Sequence, residues 1–147
     1  MARANPMQRL VDVLGGAKVL RIRVSSAMEL IPLIRGGLDY AAFEAVARAV
    51  DGTTDELASS VGVARRTLDR RRLSRKLDRD TSERLVRLAS VAARAQEVLG
   101  DAVTMRRWLR SPNRALAGQT PFSLLDTEQG AQIVLDVLGR LEHGVFS

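Results

Sequence analysis

Few residues of this chain could act as catalytic groups. The 147 residues include a single histidine, His143, and no cysteine, so no Cys–His pair can form. The chain has no Gly-rich loop followed by Lys-Ser/Thr to hold a nucleotide phosphate. It also has no His, Asp and Glu cluster with the spacing of a metal site. We therefore expect no enzymatic activity, no metal site and no cofactor.

A different chemistry, the binding of polyanions, is indicated by one basic segment. Between Arg65 and Arg79 stand seven Arg and one Lys against two Asp, a net charge of +6 that equals the net charge of the whole chain. A cationic patch this concentrated is typical of proteins that bind nucleic acids. The alternative is a solvated charged face of a helix, and charge alone does not decide between the two.

The basic segment overlaps a pattern typical of a helix-turn-helix. Residues 55–72 read as a short helix, a turn that contains Gly62 and a second helix. In such a unit the second helix enters the major groove of DNA. The residues expected to face inward are Leu57, Ala58, Val61, Val63 and Leu68.

The outward side of the second helix then carries the candidate DNA-binding residues. Arginine near its N-terminus can donate two hydrogen bonds to guanine O6 and N7, and threonine can reach a phosphate or a thymine methyl group. Basic residues further along are better placed to neutralise phosphates. The predicted set is Arg65, Arg66, Thr67, Arg70, Arg71, Arg72, Arg75 and Lys76. Because one such helix reads only a few base pairs, we expect a homodimer on a two-fold repeat of operator DNA.

The elements that position these residues are predicted to be helices. Aromatic residues are only 3% of the chain, and Ala, Leu, Val and Arg dominate, which favours helix packing over sheets. Capping boxes are predicted for Ser26 with Glu29 and for Thr53 with Glu56. The predicted helices are 6–14, 26–34, 40–50, 54–60, 64–72, 81–99, 102–110 and a last helix between Thr127 and Gly144, with helical turns opened by Ser111-Pro112 and Thr120-Pro121. The other helix starts are assigned to Asp39, Asp80 and Asp101.

One segment departs from this helical pattern. Residues 18–24 alternate apolar and basic side chains, which predicts an extended strand. A lone strand is marginally stable, so we expect it to pair across the dimer. The N-terminal region and the 81–99 helix are the candidates for the dimer contact.

The bulk properties predict an all-α protein with one compact domain or two small modules that share a core. From the placement of the motifs we expect a DNA-binding and dimerisation domain over 1–99 and a smaller helical domain over 100–147. Hydrophobic residues make up 46% of the chain, which is enough for a folded core. The absence of cysteine indicates a reducing compartment, and no apolar run approaches the roughly 20 residues of a membrane span. We therefore expect a cytoplasmic protein.

The C-terminal third resembles the toxin-binding domain of Xre/MbcA/ParS-like antitoxins. The shared features are Trp108-Leu109, Pro112-Asn113-Arg114-Ala115-Leu116, Gly118, Pro121, Leu124-Leu125-Asp126-Thr127, Gly130 and Gly144-Val145-Phe146. The resemblance continues upstream through Glu29-Leu30, the helix-turn-helix and Ser82-Glu83-Arg84-Leu85. One departure is Ala117, which stands where the family would have a second glycine.

This resemblance implies an antitoxin of a type II toxin–antitoxin system. Its partner would be a RES-domain toxin that degrades NAD. The antitoxin would block the active site of that toxin within a larger complex and would repress the shared promoter. The toxin-binding residues are then expected to be Arg140, Glu142, His143, Gly144, Val145, Phe146 and Ser147.

The residues after the last helix support a partner site on their own. Val145 and Phe146 are apolar, whereas chain ends are usually polar and frayed. Under the resemblance this tail enters the pocket of the toxin, where the terminal carboxylate can pair with an arginine. The alternative is that Phe146 folds back onto its own domain.

Two other functions also fit the sequence. One is a stand-alone helix-turn-helix transcriptional regulator whose C-terminal domain only dimerises. The other is a structural interaction protein whose basic helix is a solvated face. A neighbouring gene for a RES-domain protein would favour the antitoxin, and salt-dependent operator binding would exclude the structural protein.

Overall fold

The computed structural model describes residues 5–144, and within this range the chain consists of α-helices and two 3-10 turns. The helices are α1 Pro6–Val13, α2 Gly16–Leu20, α3 Ala27–Gly36, α4 Tyr40–Ala49, α5 Thr54–Ser60, α6 Arg65–Ser74, α7 Arg79–Leu99, α8 Ala102–Leu109 and α9 Glu128–Glu142. The 3-10 turns, Arg114–Leu116 and Phe122–Leu124, lie between α8 and α9. The prediction of an all-α fold is confirmed. None of the helices in this range is both long enough and apolar enough to span a bilayer.

Several helices begin where the sequence predicts because polar side chains cap their first turns. Asp39 accepts a hydrogen bond from the Ala41 amide at 2.9 Å, and Asp101 accepts one from the Thr104 amide at 2.7 Å. Thr127 caps α9 in the same way. The capping box of Thr53 and Glu56 at the start of α5 is complete.

The predicted strand over 18–24 is wrong. Residues 16–20 are helix α2, and Arg21 ends this helix with a φ of 67°. A single strand without a neighbour would leave its backbone groups unpaired, whereas a helical turn satisfies them locally. Leu20 and Val24 are buried and Ile22 is 46% exposed, so the alternation does not define two faces of a sheet.

Three predicted helix caps are also corrected. Ser26 makes no cap hydrogen bond; its hydroxyl instead donates to the Glu29 carboxylate. Helix α7 begins at Arg79, because Asp78 rather than Asp80 accepts from the Thr81 amide at 2.7 Å. The first 3-10 turn is capped by Asn113 and not by Ser111.

Helix α7 is the centre of the core. It packs against α1, α3, α4, α8 and α9. One face of it is buried because apolar residues recur at helical spacing. The buried apolar residues of α7 are Leu85, Leu88, Ala89, Val91, Ala92, Ala93 and Ala95. They belong to a single hydrophobic cluster that also includes Val11 of α1 and Val134 of α9. The two predicted modules therefore share one core.

Candidate DNA-binding and partner-binding sites

Helices α5 and α6 form a helix-turn-helix around Gly62. The Val63 amide donates to the Ala58 carbonyl at 2.9 Å, the long-range hydrogen bond of a Schellman motif. Gly62 has a φ of 68°, which glycine adopts without the steric penalty of a Cβ. Arg84 of α7 donates to the Val61 carbonyl at 3.3 Å and ties the turn to the core. The turn predicted at Gly62 is therefore present, with a physical reason for the glycine.

The apolar side of this unit faces inward. Leu57, Val61 and Leu68 are at most 1% exposed, and Ala58 is 4% exposed. Val63 is half-buried against the same cluster. The close contact of the two helices thus fixes the angle at which α6 leaves the domain.

The outer side of α6 presents arginines to solvent. Arg66, Arg70 and Arg72 are exposed. Arg70 Nη2 donates to the Thr67 hydroxyl at 3.4 Å, and Thr67 is itself half-buried. Arg75 and Lys76 are exposed at the C-terminal end of the helix. This side therefore offers several guanidinium groups to an anionic surface.

Arg65 differs from the other predicted DNA-binding residues because it is engaged within the protein. Its Nη1 donates to Asp55 of α5, and its Nε donates to Asp69 at 3.2 Å. The hydrogen bonds that Arg65 donates to Asp55 and Asp69 raise the pKa of its guanidinium above its ordinary value. Arg65 thus joins α5 to α6, and two carboxylates already neutralise its charge.

Arg71 is partly engaged in the same manner. Its Nη2 lies 3.5 Å from Asp78 Oδ2, at the start of α7. Burial is the largest single influence on the Asp78 carboxyl and acts to raise its pKa. The hydrogen bonds from Thr81 and the charge of Arg71 together outweigh burial, so the pKa of Asp78 is lowered. The pair orients the end of α6 relative to α7.

The described part of the predicted toxin-binding site lies at the end of α9. Arg140, Glu142 and His143 are exposed, and Gly144 follows them. The predicted residues Val145, Phe146 and Ser147 lie outside the described residues.

Glu142 is bound to α7 through Arg94. The guanidinium donates to the Glu142 carboxylate from Nη1 at 2.8 Å and from Nη2 at 2.6 Å. This two-fold contact is the main reason that the pKa of Arg94 is raised. Since such forked pairs are geometrically specific, the contact fixes the last turn of α9 on the core.

Arg110, which follows α8, is not among the residues predicted from the sequence. Its Nη1 and Nη2 donate to the Glu56 carboxylate at 3.0 and 3.1 Å, and its Nε donates to the Val50 carbonyl at 3.2 Å. The guanidinium also lies over the Phe122 ring, 5.1 Å from the ring centre. No local pattern could have revealed this contact, because 54 residues separate Arg110 from Glu56.

The Arg110 contact changes the acidity of Glu56. The hydrogen bonds from Arg110 and from the Thr53 amide lower the pKa of the Glu56 carboxyl to about 2. Glu56 is also the third residue of α5, where it completes the capping box. The same carboxylate therefore caps α5 of the helix-turn-helix and accepts hydrogen bonds from Arg110 in the C-terminal part of the chain.

Residues 5–144 contain no group of three or more His, Asp or Glu side chains placed to hold a metal ion.

Two family models match the chain, and together they define a helix-turn-helix protein joined to a toxin-binding domain. Residues 29–90 match the antitoxin Xre-like helix-turn-helix domain. Residues 94–144 match the antitoxin Xre/MbcA/ParS C-terminal toxin-binding domain. The chain belongs to the Xre/MbcA/ParS-like antitoxin family.

Curated relatives agree with this assignment. Antitoxin Xre of Yersinia enterocolitica is 39% identical over 94 residues, which are 63% of this chain and 64% of that protein. Antitoxin Xre of Photorhabdus laumondii is 40% identical over 73 residues, 49% of each chain. A relative from Sphingobium sp., named Prs ADP-ribosylating antitoxin, is 29% identical over 80 residues, 48% of this chain and 50% of that protein. The chain thus spans about half to nearly two thirds of the length of these relatives.

A solved structure shares the fold. A chain of the M. tuberculosis MbcT-MbcA toxin-antitoxin complex matches with a TM-score of 0.55 and 25% identity. The match covers 74% of this chain and 96% of that chain.

Proposed function

We propose that this chain is the antitoxin of a type II toxin–antitoxin system. The observation that carries the proposal is the presence of an antitoxin helix-turn-helix domain and an antitoxin toxin-binding domain in one chain. The relatives named Antitoxin Xre and the likeness to a chain of a toxin-antitoxin complex support it. The chain would bind a toxin through its C-terminal domain and operator DNA through α6.

The DNA-binding part of the proposal rests on the exposed arginines of α6. Arg66 and Arg70 would contact base edges in the major groove, and Arg72, Arg75 and Lys76 would neutralise phosphates. A homodimer would place two such helices on a two-fold operator. Binding there would repress the promoter that the antitoxin shares with its toxin.

The toxin-binding part extends the family resemblance. The partner would be a RES-domain toxin that degrades NAD, and residues 140–147 would block its active site. Glu142, held by Arg94, would direct the residues that follow it toward the toxin. Operator DNA and NAD are both found in the bacterial cytoplasm, so we expect the chain to act there.

The chain itself would not be an enzyme, and the NAD chemistry would belong to the toxin. One relative is named an ADP-ribosylating antitoxin, so NAD consumption by this chain needs to be tested. The purified chain alone should leave NAD intact, as followed by chromatography of the nucleotides. Consumption of NAD by the antitoxin without its toxin would contradict this part of the proposal.

Toxin neutralisation can be tested by co-expression with the neighbouring reading frame. The full chain should restore growth of cells that express the toxin, and the two proteins should co-purify. Deleting residues 145–147 should abolish the rescue while the purified variant keeps the melting temperature of the wild type. A truncated chain that still protects cells would show that these residues do not block the toxin. A chain that never co-purifies with its neighbour would favour the stand-alone regulator.

DNA binding can be tested with a duplex that covers the upstream region of the gene. The double variant Arg66→Ala and Arg70→Ala should abolish the gel shift at physiological salt. The control, Arg35→Ala with Arg107→Ala, removes the same charge from exposed positions outside the basic segment. Equal losses in both double variants would mean that net charge, and not α6, determines binding.

A further inference from the structure

A groove lies beside the C-terminal end of α6, beyond the predicted base-reading residues. Its volume is about 460 Å³, and it runs between the end of α2, the loop from α3 to α4 and residues 74–76. The residues that give it its chemistry are Leu20, Arg21, Leu33, Asp39, Arg75 and Lys76. The groove therefore combines an apolar floor with a charged rim.

Backbone hydrogen bonds fix this groove relative to α6. The Tyr40 amide donates to the Arg75 carbonyl at 3.0 Å, and the Leu77 amide donates to the Leu38 carbonyl at 2.8 Å. These two bonds join the segment after α6 to the residues before α4. The groove therefore keeps a fixed position relative to α6. A ligand that binds α6 and extends past the C-terminal end of this helix reaches the groove.

The charge on the rim favours an anion. Among the described lining residues, Arg21, Arg75 and Lys76 are cationic and Asp39 is the one carboxylate. Asp39 is occupied, because Oδ1 caps α4 and Oδ2 lies 3.3 Å from Arg21 Nη2. The Arg21 side chain is 76% exposed in this pair, and exposed pairs are weak. A phosphate can therefore replace Asp39 as the partner of the Arg21 guanidinium.

Both arginines also have an unusual backbone conformation. Arg21 and Arg75 have φ values of 67° and 62°, and each directly follows a helix. Glycine is the usual residue with this conformation at a helix end, because a Cβ disfavours it. Strained conformations of this kind cluster at functional positions. Arg21 and Arg75 are therefore retained at two helix ends where glycine would be less strained, and both line the groove.

We propose that this groove binds the sugar-phosphate backbone of operator DNA next to the segment read by α6, with Arg21 and Arg75 as phosphate contacts. The proposal rests on the proposed DNA binding and adds Arg21, which lies outside the basic segment, to it. Leu20 and Leu33 on the floor suit the apolar face of a deoxyribose. DNA is favoured over a second copy of the chain because the rim is cationic and continuous with α6.

The experiment measures operator affinity against salt concentration for Arg21→Gly and Arg75→Gly. Each variant should reduce the slope of log K against log salt by about 0.9 and weaken binding about five- to tenfold at 0.1 M salt. Because glycine relieves the left-handed strain, the melting temperature should stay unchanged or rise by about 2–4 °C. Arg21→Gln, which keeps the strain and removes the charge, should lower the slope equally.

Two controls separate charge from backbone. Ala117→Gly relieves a φ of 57° far along the chain and should leave the salt slope unchanged. Arg107→Ala removes an exposed charge from α8 and should also leave the slope unchanged. A wild-type slope in Arg21→Gly and Arg21→Gln would overturn the groove as a DNA contact.

The outcomes also separate this inference from the proposed function. If the wild-type chain fails to bind the duplex at all, DNA binding itself is refuted, and this inference falls with it. If wild-type DNA binding is normal but Arg21→Gly dissociates a dimer in sedimentation velocity, the occupant is a second copy and the inference is overturned.

Discussion

The Arg110 guanidinium and the Glu56 carboxylate meet edge to edge, with N–O distances of 3.0 and 3.1 Å. Arg110 lies in the region matched by the toxin-binding domain, and Glu56 lies in the first helix of the helix-turn-helix. A single side chain thus connects the part that would meet the toxin with the part that would meet DNA.

Replacing Arg110 with Ala should destabilise the protein. The change removes three hydrogen bonds and leaves the half-buried Glu56 carboxylate without its partner, so we expect a loss of about 1–3 kcal/mol in the free energy of unfolding. Urea denaturation measures it. Arg107→Ala, one turn earlier on an exposed position, is the matched control and should change stability by less than about 0.5 kcal/mol.

The same pair predicts a dependence of stability on pH. The Glu56 carboxyl has a pKa of about 2 in the folded protein against an ordinary value of 4.5. Its contribution is therefore complete above pH 4.5 and is lost as the pH falls toward 2. Because the side chain is 40% exposed, solvent screening limits the contribution to about 1 kcal/mol. Glu56→Gln should reduce stability at pH 6 and flatten its decline between pH 4.5 and 3, and a parallel decline in both proteins would contradict the assignment.

Arg65 and Arg66 should behave differently in DNA binding although they are neighbours. Arg66 is exposed, so Arg66→Ala should relax the preference for one base pair at a cost of about 1–3 kcal/mol. Arg65 is held by Asp55 and Asp69, so Arg65→Ala should weaken binding to all duplexes alike. Competition gel shifts with single-base operator variants measure the difference. A change of base preference in Arg65→Ala would mean that DNA displaces its two carboxylates.

Two glycines of α9 provide a matched test of packing in the toxin-binding domain. A Cβ at Gly130 would lie 1.9 Å from the Leu124 carbonyl oxygen, whereas a Cβ at Gly139 would meet nothing within 4 Å. Gly130→Ala should therefore destabilise the fold by about 2 kcal/mol. Gly139→Ala should stabilise it by about 0.5–1 kcal/mol, because alanine is the better helix former. Thermal denaturation of both variants checks the opposite signs.

Arg94 should influence toxin binding without touching the toxin. Arg94→Ala releases the last turn of α9, from which residues 145–147 continue, so toxin affinity should fall about tenfold, or about 1.4 kcal/mol. The dissociation rate should account for most of this change. Arg94→Lys keeps the charge but cannot make the two parallel hydrogen bonds. Its toxin affinity should therefore lie between those of the wild type and Arg94→Ala. Calorimetry with the purified toxin measures the affinities, and equal values for all three proteins would exclude an anchoring role.

The helix-turn-helix could be predicted from the sequence because its signals are local. Thr53 and Glu56 are three residues apart and form a capping box, and Gly62 adopts the left-handed conformation of the turn. Each of these signals depends only on residues within one or two helical turns. The strand over 18–24 was wrong for a related reason: a short alternation does not reveal whether a partner strand exists. Asp78 caps α7 although the sequence favours Asp80, because both are good caps and only tertiary packing selects between them.

The contacts that organise the candidate sites could not be predicted in this way. Arg110 finds Glu56 across 54 residues, and Arg94 finds Glu142 across 48. Arg65 reads as a free base contact in the sequence, yet Asp55 and Asp69 bind it. In each case the partner is chosen by how the helices pack, which a linear pattern of charges does not encode.

The helix-turn-helix match ends at residue 90, and the toxin-binding match begins at residue 94. Both limits lie inside the single helix Arg79–Leu99. Recombination that gave an antitoxin of this kind a new DNA reader would have to join two halves of one helix in phase. A join shifted by one residue would rotate the downstream half by about 100° and turn its apolar face out of the core. An exchange of either half for that of a relative would therefore have to preserve the helical phase across residues 90–94.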